Sequence, residues 1–291
     1  MAVHGGMKKN FIERALPTVS FISILFLFGI AMTLIVSAVP AFREYGIIST
    51  LSGKVWRPTD DPPVFGMWPL ILSSFYVTFT AIAIAVPLGV GAAVYLAEIA
   101  PAKVREIIKP AMEVLAGIPS IVLGFFGIVF LAPVVKNIFH LDTGLTGFTA
   151  AILLAIMSVP TIASITEDAV TAVPKELRHA SLALGGTKWE TIIRVSVPAA
   201  KSGILTGIIL GISRTMGETM TVLMAAGGSR GIPDNIFVPM RPMTACIAGE
   251  MGETVVGGSH YYMLFAMGLI LFVFNIIFNI IAENIKKGKN K

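Results

Sequence analysis

Long apolar runs alternate with short charged stretches along this chain, and six of the runs are long enough to cross a bilayer as helices, which takes roughly 20 residues each. They fall near 17–39, 68–97, 111–135, 145–166, 199–226 and 259–283. The pattern predicts an all-α integral membrane protein of six transmembrane helices. A short segment, 1–16, precedes the first helix, 17–39. A core of five helices follows over 68–283, and a basic tail, 284–291, ends the chain. The third run is the least regular, because Gly117-Ile-Pro119 interrupts it and Gly124 and Gly127 follow. Such interruptions survive in a membrane only where neighbouring helices or water satisfy the freed backbone groups.

Composition agrees. Hydrophobic residues make up 55% of the 291 residues, charged residues 13%, and the mean hydropathy is +0.83. Helices and short loops use nearly all of the length, which leaves no room for a large soluble domain. The single cysteine, Cys246, says nothing about redox compartment. Lys8, Lys9 and Arg14 precede the first run, which is too long for a signal-peptide core. Ala38-Val39-Pro40-Ala41 weakly resembles a cleavage site that its proline disfavours, and Met7 offers an alternative start. The alternate loops that share a side with the N-terminus hold 15 basic residues against 6 on the other side, which predicts both termini in the cytoplasm. The net charge of +5 follows this topology and points to no nucleic-acid partner. Trp56 and Trp68 are expected at the outer membrane interface.

The fifth run carries the most informative chemistry. Arg214 and Glu218 lie one helical turn apart, and Arg214 is about 20 Å of helix beyond Lys201 at about 1.5 Å per residue. Ionised groups at that depth cost roughly 2.5–3.5 kcal/mol each on insertion scales and mark pathways more often than packing. Gly203, Gly207 and Gly211 form a small-residue row that admits a second backbone, and the helical wheel places Arg214 and Glu218 on that face. Ser213, Thr215, Thr219 and Thr221 add hydroxyls nearby. A guanidinium fork suits a tetrahedral oxyanion. The alternative is a buried ion pair that only fixes helix packing. A second small row, Ala81, Ala85, Gly89 and Ala93, reads as plain packing.

The segment 167–198 is too polar to span. Lys175-Glu-Leu-Arg-His-Ala-Ser-Leu-Ala-Leu184 is amphipathic and meets a Gly185-Gly186 stop, and Trp189, Ile192 and Ile193 predict a second short helix before Pro198. Glu250 and Glu253 either line a pathway mouth or sit in a solvated loop, and Glu98 and Glu113 read as cap or interface residues. Gly227-Gly-Ser229-Arg-Gly231 matches a nucleophile-elbow pattern but lacks the strand-turn-helix context, so it reads as a loop. The four histidines never pair at metal-ligand spacing, so no metal site is expected. No phosphate-binding G-x-x-x-x-G-K-[ST] loop occurs, which assigns any ATP hydrolysis to another chain.

His179-Ala180-Ser181, Gly185 and Val195-Ser-Val-Pro198 resemble the cytoplasmic "EAA" loop of ABC importer permeases, E-A-A-x3-G-x9-I-x-L-P. Spacing, glycine and proline hold, while His179 replaces the Glu, Ser181 an Ala, and Val195 and Val197 the Ile and Leu. Phe65-Gly-Met-Trp-Pro-Leu70, Ile84-Ala-Val-Pro-Leu-Gly89, Tyr95-Leu-Ala-Glu-Ile-Ala-Pro101, Ala116-Gly-Ile-Pro-Ser120 and Val173-Pro-Lys-Glu-Leu177 look like the phosphate-importer permeases. Arg214-Thr-Met-Gly-Glu-Thr-Met220 and Thr244-Ala-Cys-Ile-Ala-Gly-Glu250 are similar to the PstC type of this binding-protein-dependent transport family. The resemblance implies a type I permease fold in the cytoplasmic (inner) membrane. It also implies a PstA-like second permease, two copies of a cytoplasmic ATPase that binds the ATP, and an external phosphate-binding protein. The 167–198 loop, with Glu176 among its residues, would dock on the ATPase, and the residues matching Arg214 and Glu218 would serve phosphate passage. No cofactor is expected on this chain. Sulfate or molybdate transport, or a membrane sensor or scaffold that transports nothing, are the alternatives; an intramembrane enzyme lacks clustered catalytic groups, and a passive channel needs no ATPase dock.

Overall fold

The computed structural model describes residues 4–287, with side chains described for 16–281, 283 and 284. The side chains of Lys8, Lys9 and Arg14 and most of the basic tail lie outside the described residues. Helix α1 spans His4–Tyr45 and α2 Ile47–Ser52, followed by a two-stranded antiparallel hairpin, β1 (Trp56–Arg57) and β2 (Val64–Phe65). Helix α3 (Trp68–Val94) runs on through a π-helical turn, Tyr95–Ile99. Helix α4 (Ala102–Gly117) is followed by α5 (Ser120–Phe126), a second π turn and α6 (Ala132–Phe139). Next come α7 (Gly147–Thr171), the short α8 (Lys175–Ala183) and α9 (Lys188–Thr191), a third π turn at Ile192–Ser196, and α10 (Val197–Ala199). Helices α11 (Lys201–Gly217), α12 (Met220–Ala225), α13 (Met243–Glu250) and α14 (Ser259–Lys287) complete the chain.

Helix α7 is the axis of the bundle. Thr146 caps its start by accepting the Thr149 N–H, and loop carbonyls of Val238 and Ile236 take the Gly147 and Phe148 N–H groups. Lipid offers no hydrophobic drive between helices, so association rests on close backbone approach and dispersion. The small rows supply that approach. On α3, Ala81, Ala85, Gly89 and Ala93 are buried, and a Cβ on Gly89 would lie 2.9 Å from Ile162 of α7. On α11, a Cβ at Gly203 would meet Ala169 Cβ at 2.2 Å, and one at Gly211 would meet Ile162 Cγ1 at 2.7 Å. Gly207 faces Thr166 and the Ile162 carbonyl. Helix α1, by contrast, pairs with α14 and leaves nearly all of its apolar surface outward.

Four boundaries differ from the sequence reading. The third span starts at Ser120, not at 111, because Ile118 and Pro119 are both extended and detach α4 as a separate amphipathic helix. A residue before proline is driven from the helical region by the ring. The fifth span stops at Gly217, because Glu218 is extended with ψ 132° and Thr219 precedes a new helix. The stretch ahead of α11 meets it at a bend of 69° around Ala200. Residues Glu167–Thr171 belong to α7, so the polar loop begins after Thr171. The described chain therefore holds five long apolar helices, or six if the bent pair counts as one span.

Gly203→Val should lower the thermal stability of the detergent-solubilised protein by about 1–3 kcal/mol, the usual cost of overpacking. Gly91→Ala, where no atom lies within 4 Å of the new Cβ, should be neutral or stabilising by about 0.5–1 kcal/mol through helix propensity. Equal melting temperatures for the two variants would refute the close α7–α11 packing.

Candidate functional site

Two helix breaks face each other inside the bundle, Ile118-Pro119 between α4 and α5 and Glu218-Thr219 between α11 and α12. Each strips backbone groups of their helical partners, and side chains from neighbouring helices bind carbonyls at both breaks. Arg214 Nη2 donates to the Ala116 carbonyl at 3.4 Å, and Thr221 Oγ1 donates to the Ser120 carbonyl at 3.0 Å. Thr244 Oγ1 of α13 donates to the Glu218 carbonyl at 2.8 Å.

Among the described residues no ion pair joins Arg214 to Glu218, contrary to the single-helix reading. The extended Glu218 backbone carries its side chain off the α11 face, and its carboxylate accepts the Thr219 N–H at 3.2 Å. The glycine face continues instead into Thr215, buried and hydrogen-bonded to Ser158 Oγ at 2.8 Å. Arg214 is exposed in the isolated chain, on a different line of α11 from the glycines. Thr221 is buried and Thr219 half-buried beside the break. Ser213 donates to Asn279 Oδ1 at 3.1 Å, and Asn279 binds Asn275 at 2.7 Å. These two asparagines in α14 were not singled out from the sequence; polar amides inside an otherwise apolar run were the available signal. They line a cavity of about 440 Å³ with Met216, Gly217 and Thr244.

At the end of the bundle holding α8, ion pairs tie the loop to the spans. Arg178 reaches Glu98 at 3.0 Å, the Val170 carbonyl at 2.7 Å and Ser196 Oγ at 3.4 Å, which joins α8 to the ends of α3, α7 and the stretch before α11. Glu167, buried in α7, binds Arg105 and Lys109 of α4, the latter at 2.7 Å. Hydrogen bonds to Glu167 and Asp168 push the Lys109 pKa up from its ordinary value. Gly185 ends the helical segment at φ +86°, a backbone region that favours glycine. Thr187 and Glu190 form a capping box that restarts the chain as α9. Ser181 Oγ lies 2.9 Å from Thr191 Oγ1 and closes the two short helices on each other. Glu176, His179, Ala180 and Gly185 are exposed, Val195 is half-buried and Pro198 is exposed ahead of the bend. Leu182, Leu184 and Trp189 present a bare apolar patch beside them.

At the opposite end, Glu250 is the hub. Its Oε1 accepts from Arg230 Nη2 at 3.0 Å and Arg241 Nη1 at 2.5 Å, and its Oε2 contacts Trp56 Nε1 at 2.9 Å and His260 Nε2 at 3.0 Å. The solvated-loop reading of Glu250 is wrong, since the residue is 4% exposed; Glu253 is exposed. Trp56 is fully buried against Phe65, and its N–H has this carboxylate to bind. Cys246 lies buried in the same cluster, and burial pushes its thiol pKa up.

Residues 85–291 match the family described as binding-protein-dependent transport system inner membrane component. The chain belongs to this family. Among its relatives, a probable ABC transporter permease protein, YqgH, of Bacillus subtilis is 38% identical over 86% of this chain and 82% of its own. The phosphate transport system permease protein PstC of Mesorhizobium japonicum is 36% identical over 88% of this chain and 83% of its own. The fold is that of solved importers. An inward-facing MetNI methionine ABC transporter chain gives a TM-score of 0.57 at 20% identity, covering 77% of this chain and 94% of its own. A bacterial ABC transporter chain involved in alginate import gives 0.66 at 12% identity, with full coverage of both.

As an inner-membrane permease of this family, the chain is a transport subunit, and its polar groups concentrate at the facing breaks and the two ends of the bundle. Glu250→Ala would strand Arg230, Arg241 and the Trp56 N–H together. It should cost roughly 3–5 kcal/mol of stability, as breaking buried ion pairs does, with a red shift in Trp56 fluorescence. An unchanged melting temperature would show that the hub carries no weight.

Proposed function

We propose that this permease moves inorganic phosphate across the cytoplasmic membrane by alternating access, energised by ATP bound on a separate ATPase subunit. The observation that carries the reading is Arg214, an exposed cation near the end of α11 that reaches across to the Ala116 carbonyl at the facing break. A charge-assisted fork of this kind holds a tetrahedral oxyanion. Glu218, in the break itself, tempers that hold so the anion is released. The several PstC relatives favour phosphate over other oxyanions.

The partners follow from the same reading: a PstA-like second permease completing the pathway, two ATPase copies on the α8 side, and an external phosphate-binding protein on the Glu250 side. The N-terminus and α8 then lie in the cytoplasm, in keeping with the excess of basic residues there. The apolar patch of Leu182, Leu184 and Trp189 meets the ATPase, and Glu176, His179, Ala180 and Ser181 flank it. Closure of the ATPase pair pushes α8. Through Arg178 the push reaches α3 and α7, and through the bend at Ala200 it reaches α11 and Arg214.

Radiolabelled phosphate uptake into liposomes holding both permeases, the ATPase, binding protein and ATP tests the reading. Arg214→Ala should cut uptake by roughly tenfold or more, the scale of a lost charge-assisted hydrogen bond of about 1.5–3 kcal/mol. Full uptake by the variant would reduce Arg214 to packing, and flux of sulfate or molybdate in place of phosphate would change the substrate. Gly185→Val, strained at φ +86°, should weaken ATPase co-purification while the permease still folds. Undiminished co-purification would remove α8 from the dock.

A further inference from the structure

We propose that Arg230 and Arg241 form an oxyanion-receiving site at the outer mouth, separate from Arg214, with Glu250 as the arm that holds the two guanidinium groups in place. The inference rests on the oxyanion-import reading for its direction of traffic.

The geometry of the Glu250 hub is unlike that of a purely structural ion pair. Both arginines bind end-on to one carboxylate oxygen, Arg230 through Nη2 at 3.0 Å and Arg241 through Nη1 at 2.5 Å. Neither uses the two-pronged fork frequent in arginine–carboxylate pairs. Arg241 Nε is spent on the Gly228 carbonyl at 3.1 Å, and its Nη2 makes no hydrogen bond to the described residues. Arg230 makes only its one bond to Glu250 among the described residues, and its side chain is 41% exposed. Two fixed positive charges against one carboxylate leave a net positive charge, with N–H groups still available for an anion. The second oxygen of Glu250 is occupied by Trp56 and His260, so the carboxylate is anchored to the hairpin and to α14 and does not swing away.

The location matches a receiving role. Arg241 borders a cavity of about 230 Å³ with Gly227, Gly228, Leu223 and Met224, ample for a tetrahedral anion. Gly227 and Gly228 hold φ of +89° and +72°, which shapes the backbone wall beside the guanidinium. The cavity abuts α12, whose far end starts at the Glu218-Thr219 break. Val222, Leu223 and Met224 of α12 line the cavity, so its wall begins only about 4.5 Å of helix past Thr219 at the break that follows Arg214.

Peptide-resolved modification of the intact transporter complex by an arginine-selective dicarbonyl reagent tests the site directly. Inorganic phosphate should slow modification of both Arg230 and Arg241 several-fold, and sodium chloride of equal ionic strength should not. Rates unchanged by phosphate, sulfate and molybdate alike would overturn the proposal. Protection by sulfate or molybdate and not phosphate would uphold the site and overturn the phosphate reading. Arg230→Gln, which leaves Arg241, His260 and Trp56 on Glu250, gives the functional counterpart in reconstituted liposomes. Half-saturation for uptake should rise at least threefold with the maximal rate retained, and an unchanged half-saturation in a wild-type-like complex would also overturn the site. Loss of all flux in the wild-type complex would instead refute the transport reading, while the modification result would still stand.

Discussion

A bilayer gives no hydrogen bonds to a backbone that leaves its helix, and this constraint organises the molecule. The chain breaks its helices at Ile118-Pro119, ahead of the third span, and at Glu218-Thr219, after α11, and sets the breaks against each other. Donors beside the second break serve the first, Arg214 to Ala116 and Thr221 to Ser120, and Thr244 of α13 serves the Glu218 carbonyl. The polar centre of the permease thus follows from satisfying two broken helices. The glycine row of α11 makes this possible by bringing that helix close enough to α7 for the breaks to meet at a defined depth.

Three buried or nearly buried carboxylates hold the ends of the bundle. Glu98 and Glu167 sit at the α8 end and Glu250 at the other, and each binds one or more cations from an element far from it in sequence. None of these pairs is a strong stabiliser after desolvation, but each fixes where a separate segment attaches. Arg178 is the clearest case, since one side chain touches three segments that would have to move together for the loop to signal to the core.

The membrane class, the approximate spans and the family were legible because they rest on run length and short-range motifs. The α8 helix and its glycine stop were legible for the same reason, as was the packing face of Gly203, Gly207 and Gly211. The break at Glu218 was not, since nothing in Gly217-Glu-Thr219 forbids a helix; tertiary partners such as Thr244 are what reward leaving it. The proline at 119 was noticed but its consequence, a separate α4, depends on charged anchors at Arg105 and Lys109 finding Glu167 across 58 or more residues. The Glu250 hub escaped because its members are spread from Trp56 to His260, and no local pattern links them.

The burial of Cys246 has a practical side. It is the chain's only sulfhydryl, it sits in the packed cluster with Met243 and Met263, and its proton is held more tightly than usual. A thiolate is the reactive species, so the native protein is close to silent toward maleimides and other alkylating labels. Cysteines introduced at α8, or either side of the Glu218 break, would carry spin or fluorescent probes over a dark background, and distances between them would read the opening and closing of the pathway without first deleting a native residue.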